Sequence, residues 1–383
     1  MDNKVAFLLS GLAQGGTETY LLRFLRWNAR HSGFAATVYC RSGQLGALEG
    51  EYLKTGARVK AFRLLFFNPM AYWRFYRELR RERFSAICDF HGNFAGFPLL
   101  CAKLAGIPVR MAQYRGSEDH FPKTYGRLLY NRFVQHVTIH CATKMVSNSA
   151  AALDYFFPGK WRADKRFRVI YNGTDLPDLV IGQEDVAIKE EFNIPCTAFV
   201  VGHIGRYNPA KNHETIMEVA VRLCRKYSDI YFVLVGLNVD HAYQEYVNAE
   251  GLGDRILMPG YRTDVHRLLS MFDLFFFPSV TEGQPNALIE AMIAGLPVLT
   301  SNIASIKEAV PVELHAKLLP PKDIEQAVLS IERLFNDKAA RMDYSCREWA
   351  LDRFDSAKRF SEFREILLTS PIRQELAETT SHN

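Results

Sequence analysis

Two glutamates eight residues apart, Glu282 and Glu290, flank the segment Gly283-Gln284-Pro285-Asn286-Ala287-Leu288. Pro285 and Asn286 are residues that open helices, so Glu282 falls in a loop and Glu290 in the second turn of the helix that follows. A helix start presents amide N–H groups and a positive dipole end to a phosphate. Carboxylates on either side accept hydrogen bonds from hydroxyls such as those of a ribose or a sugar ring. They tolerate a phosphate only if cations are near. Arg206 and Lys211, in Gly205-Arg206-Tyr207-Asn208-Pro209-Ala210-Lys211-Asn212, are the matching pair and could neutralise a diphosphate without a metal. Near the start, Gly15-Gly16-Thr17-Glu18 lies between a first strand and a first helix, where bare backbone can approach a phosphate. It is neither G-x-G-x-x-G nor a P-loop, which needs Lys after its last glycine.

The elements that must carry these residues alternate. Val5–Leu9, Thr37–Cys40, Val59–Phe62 and Ser85–Asp89 read as short strands, with a helix predicted over Thr17–Arg30. The pattern restarts after Tyr171-Asn172-Gly173-Thr174-Asp175 with a strand at Phe199–Ile204 and a helix at His213–Lys226. Strands follow at Tyr231–Val235, Ile256–Met258, Leu274–Phe277 and Pro297–Thr300. Strand–helix alternation predicts parallel sheets covered on both faces. Two α/β domains are expected: 1–171, and 172–355. A helical tail, Asp323–Asn336 and then Ala339–Thr369, closes the chain, and its last helix, about 356–383, is expected to pack back on the first domain.

The 383 residues are 48 % apolar and 23 % charged, which excludes wholesale disorder. No stretch reaches the roughly 20 apolar residues of a spanning helix, and the opening Met1-Asp2-Asn3-Lys4 does not read as a signal peptide, so a cytoplasmic location is expected. Seven scattered cysteines without C-x-x-C imply neither a disulfide framework nor a zinc site. Residues 1–180 hold 26 Lys and Arg against 13 Asp and Glu, whereas residues 181–383 hold 21 against 29. The basic half alone suggests nucleic acid, but it has no nucleic-acid motif and the acidic half would repel a phosphate backbone, so no nucleic-acid partner is expected. A dehydrogenase fails on the missing glycine fingerprint.

Together these segments resemble the retaining, family 4 glycosyltransferases of GT-B architecture. Gly15-Gly16-Thr17-Glu18 is similar to their G-G-x-E loop, and Val169-Ile170-Tyr171-Asn172-Gly173-Thr174-Asp175 to their V-I-x-N-G-x-D segment. Gly205-Arg206 with Lys211-Asn212 resembles the G-R…K-N element, and Glu282 to Glu290 the E-x7-E signature. The resemblance implies two Rossmann-like domains, an active site in the cleft between them and a nucleotide-sugar donor, a UDP-sugar favoured. Arg206 and Lys211 would hold the diphosphate and Glu290 the ribose. Glu282, with backbone near Gly283, Asn286, Ala287 and Leu288, would hold the sugar and phosphates, and backbone at Tyr261-Arg262 would meet the base. Gly15 and Gly16 would close over the donor. Glu282, Arg206 and Lys211 are the expected catalytic groups, Glu282 orienting rather than attacking. No cofactor is expected, and no metal either, since the chain has no D-x-D tripeptide. Other GT-B enzymes, such as a nucleotide-sugar epimerase or a sugar phosphorylase, share the fold.

The first domain departs more from that pattern. Where relatives carry an acceptor-side histidine the chain reads Gln113-Tyr114-Arg115-Gly116-Ser117-Glu118-Asp119, so Arg115, Glu118 and Asp119 are acceptor-side candidates beside His91. Two stretches, Met70–Phe84 and Lys123–Phe133, interleave aromatics with arginines. Either stretch alone reads as an ordinary domain helix with arginines outward, but both lie in the basic half, so contact with an anionic membrane surface is expected. The resemblance extends this to a glycan or lipid-linked acceptor in bacterial surface polysaccharide synthesis (capsule, exopolysaccharide or lipopolysaccharide), on the inner face of the cell membrane.

Overall fold

In the computed structural model the described residues are 3–13, 15–31, 33–64, 68–116, 124–174 and 186–369. Glu118, Asp119 and Lys123 lie outside them. The chain divides into two units, Met1–Gly173 with Ser356–Asn383, and Thr174–Asp355.

The first unit is built on a seven-stranded sheet of β1 (Lys4–Leu9), β2 (Ala35–Cys40), β3 (Arg58–Ala61), β4 (Ala86–Asp89), β5 (Val109–Tyr114), β6 (Lys144–Ser147) and β7 (Phe167–Val169). Their order is β3-β2-β1-β4-β5-β6-β7, every pairing parallel. The continuous apolar run of β1 is what a strand covered on both faces requires. Its alternate residues divide accordingly. Val5, Phe7 and Leu9 join the core under the helix Gly16–Arg30, whereas Ala6 and Leu8 join the core that holds Phe75, Leu79 and Leu99.

The arginine-rich stretch after Pro69 forms the helix Pro69–Glu82. Asn68 caps it by accepting from the Ala71 amide at 3.0 Å, and Arg83 ends it in a left-handed conformation. Ala71, Phe75 and Leu79 point inward, Tyr72 and Tyr76 are partly buried against the same core, and Arg74, Arg77, Arg80 and Arg81 point out. Met70 and Trp73 stay exposed beside those arginines. The second aromatic stretch belongs to a longer helix, Tyr125–Cys141, which buries Asn131, Val134, Thr138 and Cys141 and leaves apolar side chains outside. Among the described residues no helix is long and apolar enough to cross a membrane.

The second unit carries β8 (Phe199–Ile204), β9 (Ile230–Val235), β10 (Ile256–Leu257), β11 (Leu274–Phe277) and β12 (Val298–Thr300). These form a parallel sheet in the order β10-β9-β8-β11-β12. After Asp323–Asn336 comes the helix-rich tail, of which residues 370–383 lie outside the described residues. It breaks into Lys338–Met342, Arg347–Arg353 and Ser356–Leu368. One break falls where the Val298 amide reaches the Tyr344 carbonyl at 3.1 Å, the other where Asp355 bridges Thr174 and the Thr174 amide bonds the Phe354 carbonyl at 2.9 Å. At both breaks backbone carbonyls bond groups outside the helices instead of continuing a helix ladder.

The last helix buries Phe360, Phe363 and Leu367 in the first unit's core. The Phe363 ring lies 4.9 Å from Phe24 and the Phe360 ring 5.8 Å from Tyr20, both edge-on. Phe363→Ala is expected to cost about 3–5 kcal/mol. Hydrogen exchange should show lost amide protection in the sheet β1–β7 and unchanged protection in β8–β12.

Candidate active site

In an open parallel sheet, ligands bind beyond the carboxyl ends of the strands where the strand order reverses, because neighbouring loops there depart to opposite faces. In the second unit that point lies between β8 and β11. The loop after β8 carries Arg206 and Lys211, and the loop after β11 carries Glu282, so the topology brings together the residues the spacing singled out.

The β8 loop is held by its neighbours. The Gly205 amide donates to the Val235 carbonyl at 2.8 Å and the Tyr207 amide to the Leu237 carbonyl at 2.9 Å. Gly236 must be glycine, since a Cβ there would collide with the Gly205 carbonyl. Asn208 caps the short turn Pro209–Lys211 by accepting from the Ala210 amide at 2.8 Å. Asn212 adopts a left-handed conformation and donates to the carbonyls of Pro278 at 3.0 Å and Pro321 at 2.6 Å. The Val280 amide donates to the Ala210 carbonyl at 2.9 Å, stitching the two loops together.

Across that seam Lys211 Nζ meets Glu282 Oε1 at 2.5 Å, both side chains mostly buried, and the ammonium lies 4.8 Å from the Phe277 ring. Arg206 is exposed on the same loop. The helix Asn286–Ile293 opens behind Pro285, which has no side-chain oxygen to offer the first-turn amides, and Glu290 is buried in its second turn. Gly283, Asn286 and Ala287 are partly buried and Leu288 fully, so what Leu288 can offer a ligand is its backbone. Arg262 is engaged elsewhere. Its guanidinium donates to Asp264 at 2.8 and 2.6 Å and to Glu191 at 2.6 Å, which leaves backbone at Tyr261-Arg262 for a ligand.

Beneath the β8 loop lie two buried histidines that sequence reading passed over. His203 Nδ1 donates to the Phe276 carbonyl at 3.0 Å, and the His203 and His213 rings meet edge-on at 5.1 Å. Burial, together with Lys211, pushes His213 down to about 4, and burial holds His203 well below the ordinary histidine range. Both are neutral props for a cationic loop.

In the first unit the order reverses between β1 and β4. Ser10 follows β1, Arg41 follows β2, and Asp89 ends β4. Asp89 is fully buried and takes Arg41 Nη1 at 3.1 Å, the His91 amide at 3.0 Å and His91 Nδ1 at 2.6 Å. His91 Nε2 lies 2.9 Å from Ser10 Oγ. The family resemblance led to His91 as an acceptor-side candidate, but gave no sign of Ser10, Arg41 or Asp89. Their one sequence signal is a polar residue at the carboxyl end of an apolar strand. Arg115 lies over the Tyr20 ring at 3.9 Å and donates to Asn172 Oδ1 at 2.7 Å. Its two partners thus come from the helix Gly16–Arg30 and from the segment after β7. Gly15 and Gly16 begin the helix Gly16–Arg30, with the Glu18 carboxylate lying where a Gly15 Cβ would stand.

The family description "Glycosyl transferases group 1" matches residues 185–349, and "Glycosyltransferase Family 4" matches residues 14–177. The chain belongs to these GT-B, group 1 glycosyltransferases, and is a transferase. It is 25 % identical over 302 residues to the UDP-Gal:alpha-D-GlcNAc-diphosphoundecaprenol alpha-1,3-galactosyltransferase of Escherichia coli, covering 76 % of this chain and 77 % of that one. It is 27 % identical over 324 residues to the putative glycosyltransferase EpsF of Bacillus subtilis, covering 81 % of each. Its fold matches that of Anabaena HepE in complex with UDP and glucose, with a TM-score of 0.77, 20 % identity and coverage of 95 % and 99 %.

The histidine pair makes stability depend on pH. A folded-state pKa of about 4 for His213 lies below its unfolded value near 6.5, so the unfolded chain binds the extra proton. His213 therefore supports stability above about pH 6.5 and loses that support as pH falls to about 4, a change of about 3 kcal/mol. Urea unfolding of wild type and His213→Gln at pH 7.5 and pH 4 should show the variant lacking this share of the decline.

Proposed function

We propose that this chain moves a sugar from a nucleoside-diphosphate sugar, a UDP-sugar first among them, to a lipid-linked glycan acceptor in bacterial surface polysaccharide synthesis, with retention and without a metal. The observation that carries the reading is the ammonium–carboxylate seam of Lys211 and Glu282 at the β8–β11 reversal. It is supported by the named activities of the Escherichia coli and Bacillus subtilis relatives and by the UDP complex of HepE.

In this reaction the bond between the anomeric carbon and the diphosphate breaks, and the acceptor oxygen bonds to that carbon. The acceptor proton passes to the departing phosphate oxygen. Negative charge grows on the diphosphate as the bond breaks, so cations fixed beforehand favour the transition state over the ground state. Lys211 and Arg206 supply that charge, and the start of the helix Asn286–Ile293 adds its dipole. Glu282 orients Lys211 and takes a sugar hydroxyl, while Glu290 takes the ribose hydroxyls. No metal is required by this scheme because two side-chain cations do its electrostatic work.

Isothermal titration with UDP should give the same affinity with and without EDTA. Lys211→Ala and Glu290→Ala should each weaken it at least tenfold, by about 1.4 kcal/mol or more. Binding that needs a divalent ion, or preference for NAD, would overturn the donor reading.

The acceptor's lipid implies a surface to reach it, and the helix Tyr125–Cys141 supplies one. Tyr125, Leu128, Leu129 and Phe133 are 85 %, 44 %, 61 % and 55 % exposed on its outer side, with Arg132 beside them. Trp73 is exposed on the helix Pro69–Glu82, under the Arg77 guanidinium at 4.8 Å. Apolar side chains among arginines fit the headgroup region of an anionic bilayer. Sedimentation with phosphatidylglycerol vesicles should exceed that with phosphatidylcholine, weaken with salt and fall at least tenfold in Leu128→Ser/Leu129→Ser. A dimer in solution that the same double variant dissolves would assign this face to a second copy instead.

A further inference from the structure

At the β1–β4 reversal a guanidinium, a carboxylate, an imidazole and a hydroxyl stand in a row: Arg41, Asp89, His91 and Ser10. The inner three groups fix one another's protonation. Burial pushes the Asp89 carboxyl up, but Arg41 and the hydrogen bonds from His91 outweigh it and hold the group below the usual carboxylate range. An ionised Asp89 can only accept, so the short contact to His91 requires the proton on Nδ1. Burial and the Arg41 charge hold the imidazole below the ordinary histidine range against the pull of Asp89, so it carries a single proton at neutral pH. Nε2 is then a bare lone pair, and the Ser10 hydroxyl must donate to it.

Resting on the reading of the chain as a sugar transferase, we infer that Arg41 and Asp89 are positioning residues for substrate. They lock His91 in the Nδ1–H form so that Nε2 accepts a hydrogen bond from a sugar hydroxyl, in the place the Ser10 hydroxyl now holds. Three features support a recognition role over a purely structural one. The row ends at the strand-order reversal, where such sheets take ligands. Its inner members are buried, Arg41 almost wholly and Asp89 completely, whereas Ser10 at the outer end is exposed. Asp89 spends one carboxylate oxygen on both the amide and the ring of the same residue, which fixes His91 in position as well as in tautomer. A serine is a fitting occupant because it offers the same donor as a sugar hydroxyl and can rotate away at little cost.

The tautomer can be read without any turnover. Long-range nitrogen–proton spectra of the full chain with ring-labelled histidine, assigned with His91→Gln, should show His91 protonated at Nδ1 and bare at Nε2 at pH 7.5. Asp89→Asn should shift that population toward Nε2–H, and Asp89→Glu should restore part of it. An Nε2–H tautomer in the wild type overturns the inference whatever the enzyme's activity. Addition of UDP-glucose, UDP-galactose or UDP-N-acetylglucosamine, against UDP alone, tests a hydroxyl on the donor, and methyl glycosides of the same sugars test one on the acceptor. A move of the Nε2 resonance with one of these sets supports the assignment and names its source, and a resonance that none of them moves overturns it. Should the Nδ1–H form be found and a sugar move it while UDP binding is absent, the donor reading fails and the positioning of His91 stands.

Discussion

Both units are governed by one constraint of parallel sheets. Every strand must be returned over a face before the next can begin, so all carboxyl ends gather at one edge, and where the strand order reverses adjacent loops part. In the second unit the loops after β8 and β11 part and are rejoined by the Val280–Ala210 hydrogen bond and the Lys211–Glu282 ion pair. In the first, the turns after β1 and β4 part and are rejoined through Ser10 and His91. Each crevice is thus lined by polar groups that the sheet positions but does not itself need.

What those polar groups demand of their surroundings differs. A partly buried ammonium beside a carboxylate must recover its desolvation through close geometry, and the aromatic face of Phe277 helps it do so. The layer beneath must then add no further positive charge. His203 and His213 satisfy this by staying neutral, although a histidine in water would gain a proton only slightly below neutral pH. At the first unit's strand reversal the buried Arg41 guanidinium is set against the Asp89 carboxylate, and the neutral His91 carries the outcome toward solvent. The cationic loop is therefore suited to a phosphate, and the imidazole acceptor to a hydroxyl.

Much of this was legible in the order of residues because its causes are local. The apolar run of β1, the capped start Asn68-Pro69 and the helix opening at Pro285-Asn286 each follow from a few neighbouring side chains. The strands β5, β6 and β7 were not legible. Val-Arg-Met-Ala-Gln-Tyr, Lys-Met-Val-Ser and Phe-Arg-Val place polar groups in runs that tertiary contacts bury or bond, as when Arg110 donates to the Cys141 carbonyl at 2.7 Å. The exact breaks in the helix-rich tail were not legible for the converse reason. The tail's helix propensity is continuous, and the backbone bonds that interrupt it come from Val298 and Thr174, far away in sequence. Arg41 and Asp89 escaped notice likewise, since 48 residues separate partners that meet only when β2, β1 and β4 lie side by side.

The two arginine-rich stretches show why composition alone does not assign a surface. Both mix aromatics with arginines, yet one turns Phe75 and Leu79 inward and the other turns Leu128, Leu129 and Phe133 outward. The difference lies in what each helix already packs with. The helix Tyr125–Cys141 meets the interior through Asn131, Val134, Thr138 and Cys141, small or polar side chains that allow close approach. Thr138 bonds the Asn93 carbonyl at 2.7 Å, and the Val134 carbonyl lies 3.0 Å from where a Gly96 Cβ would stand. With the inner face so filled, the large apolar residues of the first turns have no place inside. Leaving four of them in water opposes burial of roughly 25 cal/mol per Å2 of apolar surface, a loss that membrane contact would recover.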